Sequence, residues 1–122
     1  MALIYLCDDD PKYIQMLTDM LTESGHEVKS ACSVELFGRL LQQRAPDLCV
    51  LDMQMQGGGG PVTSKMVPPQ VPVIVASGMP VSFQQQWITG RSAVRFLEKP
   101  ISWLGLEAAI RELLPVATAA SA

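Results

Sequence analysis

Asp8, Asp9 and Asp10 stand in a row after the apolar run from Ala2 to Cys7, and Asp52 closes the run Leu48-Cys49-Val50-Leu51. Ser77 and Gly78 close Val71 to Ala76, and Lys99-Pro100 follows Val94 to Leu97. Acids, one hydroxyl and one lysine therefore each sit at the end of an apolar stretch. Carboxylates held about 4 Å apart repel by roughly 4 kcal/mol per pair at an intermediate effective dielectric, and a hard divalent cation relieves that repulsion. Carboxylate, carbonyl and water oxygens suit magnesium, which keeps several waters and leaves a coordination position for a phosphoryl oxygen. Asp52 is the sharpest candidate, because a lone acid beside buried apolar residues is costly without a partner. Asp10 precedes Pro11 and reads instead as the N-cap of a helix with proline at its first position.

The apolar runs that carry these residues are spaced as strands alternating with helices. Leu3 to Cys7 and Leu48 to Leu51 are unbroken apolar runs, the pattern of strands buried on both faces. Val28 to Cys32 is a weaker strand, Val71 to Ala76 a fourth and Val94 to Leu97 a fifth. Between them, Ile14, Leu17 and Leu21 recur at helical spacing up to Gly25. Ser33 caps a helix carrying Leu36, Phe37, Leu40 and Leu41, which Ala45-Pro46 ends. Val81 to Ile88 is a fourth helix, and Ser102 opens a fifth whose Leu106, Ala109, Ile110 and Leu113 face inward. The third helix is expected to be short or irregular, because Gly57 to Gly60 with Pro61 reads as slack and only Val62 to Val67 remains before Pro68-Pro69. The alternation predicts a doubly wound α/β fold, a parallel sheet with helices on both faces. In such a sheet ligands sit beyond the carboxyl ends of the strands, which would gather the acids, Ser77 and Lys99 at one edge.

Composition narrows the function classes. The 122 residues, 48% hydrophobic and 17% charged, fit one domain, expected over residues 1–114 with a tail or linker over 115–122. The net charge of −3, a pI near 5.0 and the absence of a basic cluster argue against direct nucleic-acid binding. The first apolar run is too short for a signal peptide or a membrane span, so no membrane association and a cytoplasmic location are expected. The three cysteines are read as reduced. His26 is the only histidine, expected to be solvated after Gly25, which speaks against a histidine nucleophile or a zinc site.

The acidic pair after the first strand, Leu51-Asp52, Ser77-Gly78 and Phe96-Leu97-Glu98-Lys99-Pro100 together resemble the receiver domain of bacterial two-component response regulators, over Leu3 to Leu114. The resemblance implies a flavodoxin-like five-stranded sheet of order 2-1-3-4-5. It makes Asp52 the phosphoacceptor, and Asp9, Asp8, Asp52 and the backbone carbonyl of Gln54 the holders of Mg2+. Lys99 and Ser77 would contact phosphoryl oxygens, Phe96 would be the aromatic switch that follows Ser77, and Lys99-Pro100 would be a cis peptide. The implied partners are a sensor histidine kinase or phosphotransfer protein and an output domain or protein, with a homodimer left open. The implied function is a phosphorylation-controlled switch rather than a metabolic enzyme, read out on the surface of the fourth helix, fifth strand and fifth helix. The sequence departs from the family at Gln56, where proline is usual, and in the four glycines that follow. Two alternatives stay open: a haloacid dehalogenase-like phosphatase with Asp8 as nucleophile in Asp8-x-Asp10, and a degenerate receiver that acts by protein binding alone.

Overall fold

A computed structural model describes residues 2–88, 90–91 and 93–114. The expected tail over 115–122 lies outside the described residues. The elements in chain order are β1 (Leu3–Cys7), α1 (Pro11–Glu23), β2 (Glu27–Ala31), α2 (Val34–Gln43), β3 (Leu48–Asp52), α3 (Gly59–Met66), β4 (Val73–Ser77), α4 (Val81–Gln84), β5 (Val94–Glu98) and α5 (Trp103–Leu113). All strand pairings are parallel, and the sheet order is β2-β1-β3-β4-β5.

Alternation along the central strands divides the core in two. Ile4, Leu6, Leu48, Val50, Ile74 and Ala76 pack under Leu17 and Leu21 of α1 and Leu106, Ala109 and Ile110 of α5. Leu3, Tyr5, Cys7, Cys49, Leu51, Val73 and Val75 pack with Phe37 of α2, with Val67 and Val71, and with Ile88. The three central strands are buried at every position, whereas β2 and β5 at the edges are mostly exposed or half-buried. Asp10 Oδ1 accepts from the N–H of Lys12 at 3.1 Å, and Ser33 and Ser102 cap α2 and α5 in the same way.

Several expectations need correction. The glycine run is not slack: α3 begins inside it, at Gly59, and Gly57, Gly58 and Gly59 all have positive φ. A Cβ on Gly59 would stand 2.2 Å from the Met53 carbonyl oxygen, so glycine is what allows the helix start to lie against the segment after Asp52. Gly60 N–H donates to that same carbonyl at 3.1 Å. The fourth helix is shorter than its pattern, one turn over Val81–Gln84 followed by turns to Trp87. β4 starts at Val73 rather than Val71, because Pro72 has no N–H for the ladder. His26 is half-buried rather than solvated, and its Nδ1 accepts the Ala2 N–H at 3.2 Å. All three cysteines are unpaired.

Candidate functional site at the carboxyl edge of the sheet

Asp8 follows β1, Asp52 ends β3, Ser77 ends β4 and Lys99 follows β5, so one register of parallel strands delivers all four to the same edge. Asp8 and Asp52 are only 4% and 7% exposed, while Asp9 is exposed. One carboxylate oxygen from each of Asp8, Asp9 and Asp52 lies within 4.8 Å of the other two. Lys99 Nζ donates to Asp8 Oδ2 at 2.9 Å and stands 3.4 Å from Asp52 Oδ1. Its other side faces Tyr13 of α1, whose ring centroid is 4.4 Å from Nζ.

The electrostatics follow from this crowding. Burial pushes the Asp52 carboxyl above its ordinary value and the Asp8 charge adds to the shift; Lys99 and the Gln54 N–H, which donates to Asp52 Oδ1 at 3.2 Å, oppose it. Burial alone would lower the pKa of Lys99, but its hydrogen bond to Asp8 and the attraction of Asp52 outweigh that and raise it. The site therefore holds a fixed ammonium beside two buried carboxylates and a third at the rim. All the donors are hard oxygens, the set that suits magnesium in preference to a soft metal. Burial and the nearby acids push the Cys7 thiol up to about 12, so it is a packed thiol and not a nucleophile.

Ser77 is 1% exposed; its Oγ accepts the Met79 N–H at 3.1 Å and its carbonyl accepts the Lys99 N–H at 2.7 Å. Phe96 lies opposite Val75 and is half-buried against the core cluster that includes Val73, Val75 and Ile88. The Lys99-Pro100 peptide is cis, as expected. Asp10 is not part of the cluster, because its carboxylate is turned onto the start of α1. The sequence reading missed two neighbours. Tyr13 could have been found from its place three residues after the Asp10 cap, in the helical turn that faces back to the strand ends. Gln84 left no such signal: it is fully buried, and its Nε2 donates to the carbonyls of Met79 at 2.9 Å and Leu97 at 3.1 Å.

Residues 4–111 match the family model of the response regulator receiver domain. Protein PilH of Pseudomonas aeruginosa is 29% identical over 106 residues, which cover 83% of this chain and 88% of that protein. The transcriptional regulatory protein AfsQ1 of Streptomyces coelicolor is 29% identical over 116 residues, covering 93% of this chain and 52% of its own, so this chain spans about half of it. The chemotaxis protein CheY4 of Vibrio cholerae superimposes with a TM-score of 0.85 at 23% identity, over 93% of this chain and 99% of that one, a likeness of fold.

Proposed function

Because the chain belongs to the response regulator receiver domain family, we propose that Asp52 is its phosphoacceptor and that the phosphoryl group comes from a histidine of a sensor kinase or phosphotransfer protein. The observation that carries this reading is Lys99 Nζ lying between Asp8 and Asp52 at the carboxyl edge of the sheet. An Asp52 oxygen forms the new bond to phosphorus while the bond from phosphorus to the imidazole nitrogen breaks, its electron pair staying with the ring. An anionic nucleophile approaching an anionic group needs compensating charge. Lys99 supplies it to one phosphoryl oxygen, and the Ser77 hydroxyl supplies a hydrogen bond to another. Asp8, Asp9, Asp52 and the Gln54 carbonyl are the residues that would hold Mg2+, which when bound neutralises charge on the phosphoryl oxygens.

Turning Ser77 toward a phosphoryl group takes its Oγ from the Met79 N–H, and the half-buried Phe96 ring on the next strand is placed to move with it. The affected surface includes the exposed Phe83, Trp87 and Leu104, apolar side chains suited to an output domain or protein. A cytoplasmic location suits such partners, and no helix among the described residues is long and apolar enough to cross a membrane. The phosphatase alternative loses support because Asp10 caps α1. The degenerate-receiver alternative rested on the glycine run and Gln56, and it loses the first, because the run is ordered into the start of α3.

The test is phosphorylation with a small-molecule acyl phosphate in magnesium, borohydride trapping and mass spectrometry. The label is expected on Asp52 and absent from Asp52→Asn. A label on Asp8 in the parent chain would sink the assignment.

A further inference from the structure

Lys99 is held by acids on one side and by a ring on the other. Its Nζ donates to Asp8, stands 3.4 Å from Asp52, and lies 4.4 Å from the centroid of the Tyr13 ring. Tyr13 is itself fixed, in the first turn of a helix whose start is pinned by Pro11 and by the Asp10 carboxylate accepting from the N–H groups of Lys12 and Tyr13. The phenol oxygen is buried, facing the Ile101 backbone without a hydrogen bond of good geometry. The polar end of Tyr13 meets only the Ile101 backbone, whereas its ring face has a charged partner in Lys99.

We propose that Tyr13 is a positioning residue for Lys99, its ring holding the ammonium at the Asp52 edge so that the lysine is aimed before a phosphoryl group arrives. The inference rests on the phosphoacceptor reading of Asp52. A lysine side chain has four rotatable bonds, and the attraction of two carboxylates is weakly directional. The same carboxylates are the candidate holders of a cation, and any cation they bind weakens both ion pairs with Lys99. The contact with the ring quadrupole is independent of that competition. It is the restraint that keeps Lys99 in place when the acids are otherwise engaged.

The experiment compares the full chain with Tyr13→Phe, which keeps the ring, and Tyr13→Leu, which keeps an apolar side chain without it. The probes are magnesium alone, beryllofluoride in magnesium, and the NMR shift of the Lys99 ε-methylene protons. In the parent and in Tyr13→Phe these protons should be shifted upfield by the ring, with beryllofluoride affinities within about two-fold of each other. In Tyr13→Leu the upfield shift should vanish and beryllofluoride binding should weaken by about 3- to 10-fold, with magnesium affinity unchanged. Tyr13→Met serves the same purpose should the leucine variant not fold. Parent-like shift and affinity in a folded ring-less variant would overturn the proposal, as would a phenylalanine variant as impaired as the leucine one. A parent chain that takes neither phosphate nor beryllofluoride would sink the phosphoacceptor reading, and the methylene shift would still decide whether the ring holds the lysine.

Discussion

Asp52 and Lys99 pull the stability of the domain in opposite directions. The Asp52 carboxylate is buried beside Asp8, and its raised pKa shows that desolvation and repulsion outweigh the help from Lys99 and the Gln54 N–H. In metal-free buffer at neutral pH, Asp52→Asn should therefore stabilise the fold by about 0.5 to 2 kcal/mol, the gain typical of relieving a functional site. Denaturant titration checks this, and a loss of stability would show that the ion pair dominates. Lys99→Ala should act the other way and cost about 1 to 3 kcal/mol, because it leaves two buried carboxylates without their cation. That loss should shrink when magnesium is added, more than any gain the parent shows, because magnesium replaces the missing positive charge. A deficit insensitive to magnesium would place the candidate metal site elsewhere.

At the scale of elements, the connection from β3 to α3 decides how well the edge is built. Gly59 has φ +52°, and an added Cβ would meet the Met53 carbonyl carbon at 2.8 Å and Gln54 Cα at 3.1 Å. Gly59→Ala should cost about 2 to 3 kcal/mol through left-handed strain and overpacking. It should also weaken magnesium binding, because the Gln54 backbone cannot stay where it is. Gly25→Ala, also at positive φ but with open space around its Cβ, separates strain from collision: it should cost less and leave magnesium binding alone. The strand ends were legible in the sequence because an unbroken apolar run that stops at an acid leaves little choice of element. The glycine run was not, because four glycines in sequence read as freedom, whereas here the missing Cβ atoms allow close contact with a carbonyl. The one-turn α4 was misjudged in length for a related reason: its pattern continues to Ile88, but the chain turns after Gln84, whose buried amide is bonded to Met79 and Leu97. Tertiary hydrogen bonds of that kind carry no sequence period. Arg91 is a further case, donating to the carbonyls of Ser64, Val67, Pro68 and Val71 and so tying the connection after α4 to the end of α3.

For the whole molecule, acid sensitivity should begin away from the functional edge, where the turn after α1 meets the start of β1. His26 Nδ1 accepts the Ala2 N–H at 3.2 Å, which requires that nitrogen to be unprotonated, and burial lowers the imidazole pKa below its ordinary value. The folded state therefore binds a proton at His26 less readily than the unfolded chain does. Where the unfolded state binds more protons, stability rises with pH. The contribution of His26 is complete above the unfolded value of about 6.5 and is lost as pH falls from there through the lower folded value. The adjoining pairing, in which Glu27 N–H donates to the Ala2 carbonyl at 2.9 Å, joins β2 to β1 at that end of the sheet, so protonation should loosen an edge strand that has few buried residues. Unfolding midpoints measured between pH 7.5 and pH 5.5 should fall for the parent and fall less for His26→Gln, which cannot take up a proton. The carboxylate cluster is the same in both chains, so its titration cancels in the difference. Parallel curves for the two proteins would show that the Ala2 contact tolerates an imidazolium and that the acid response does not originate at His26.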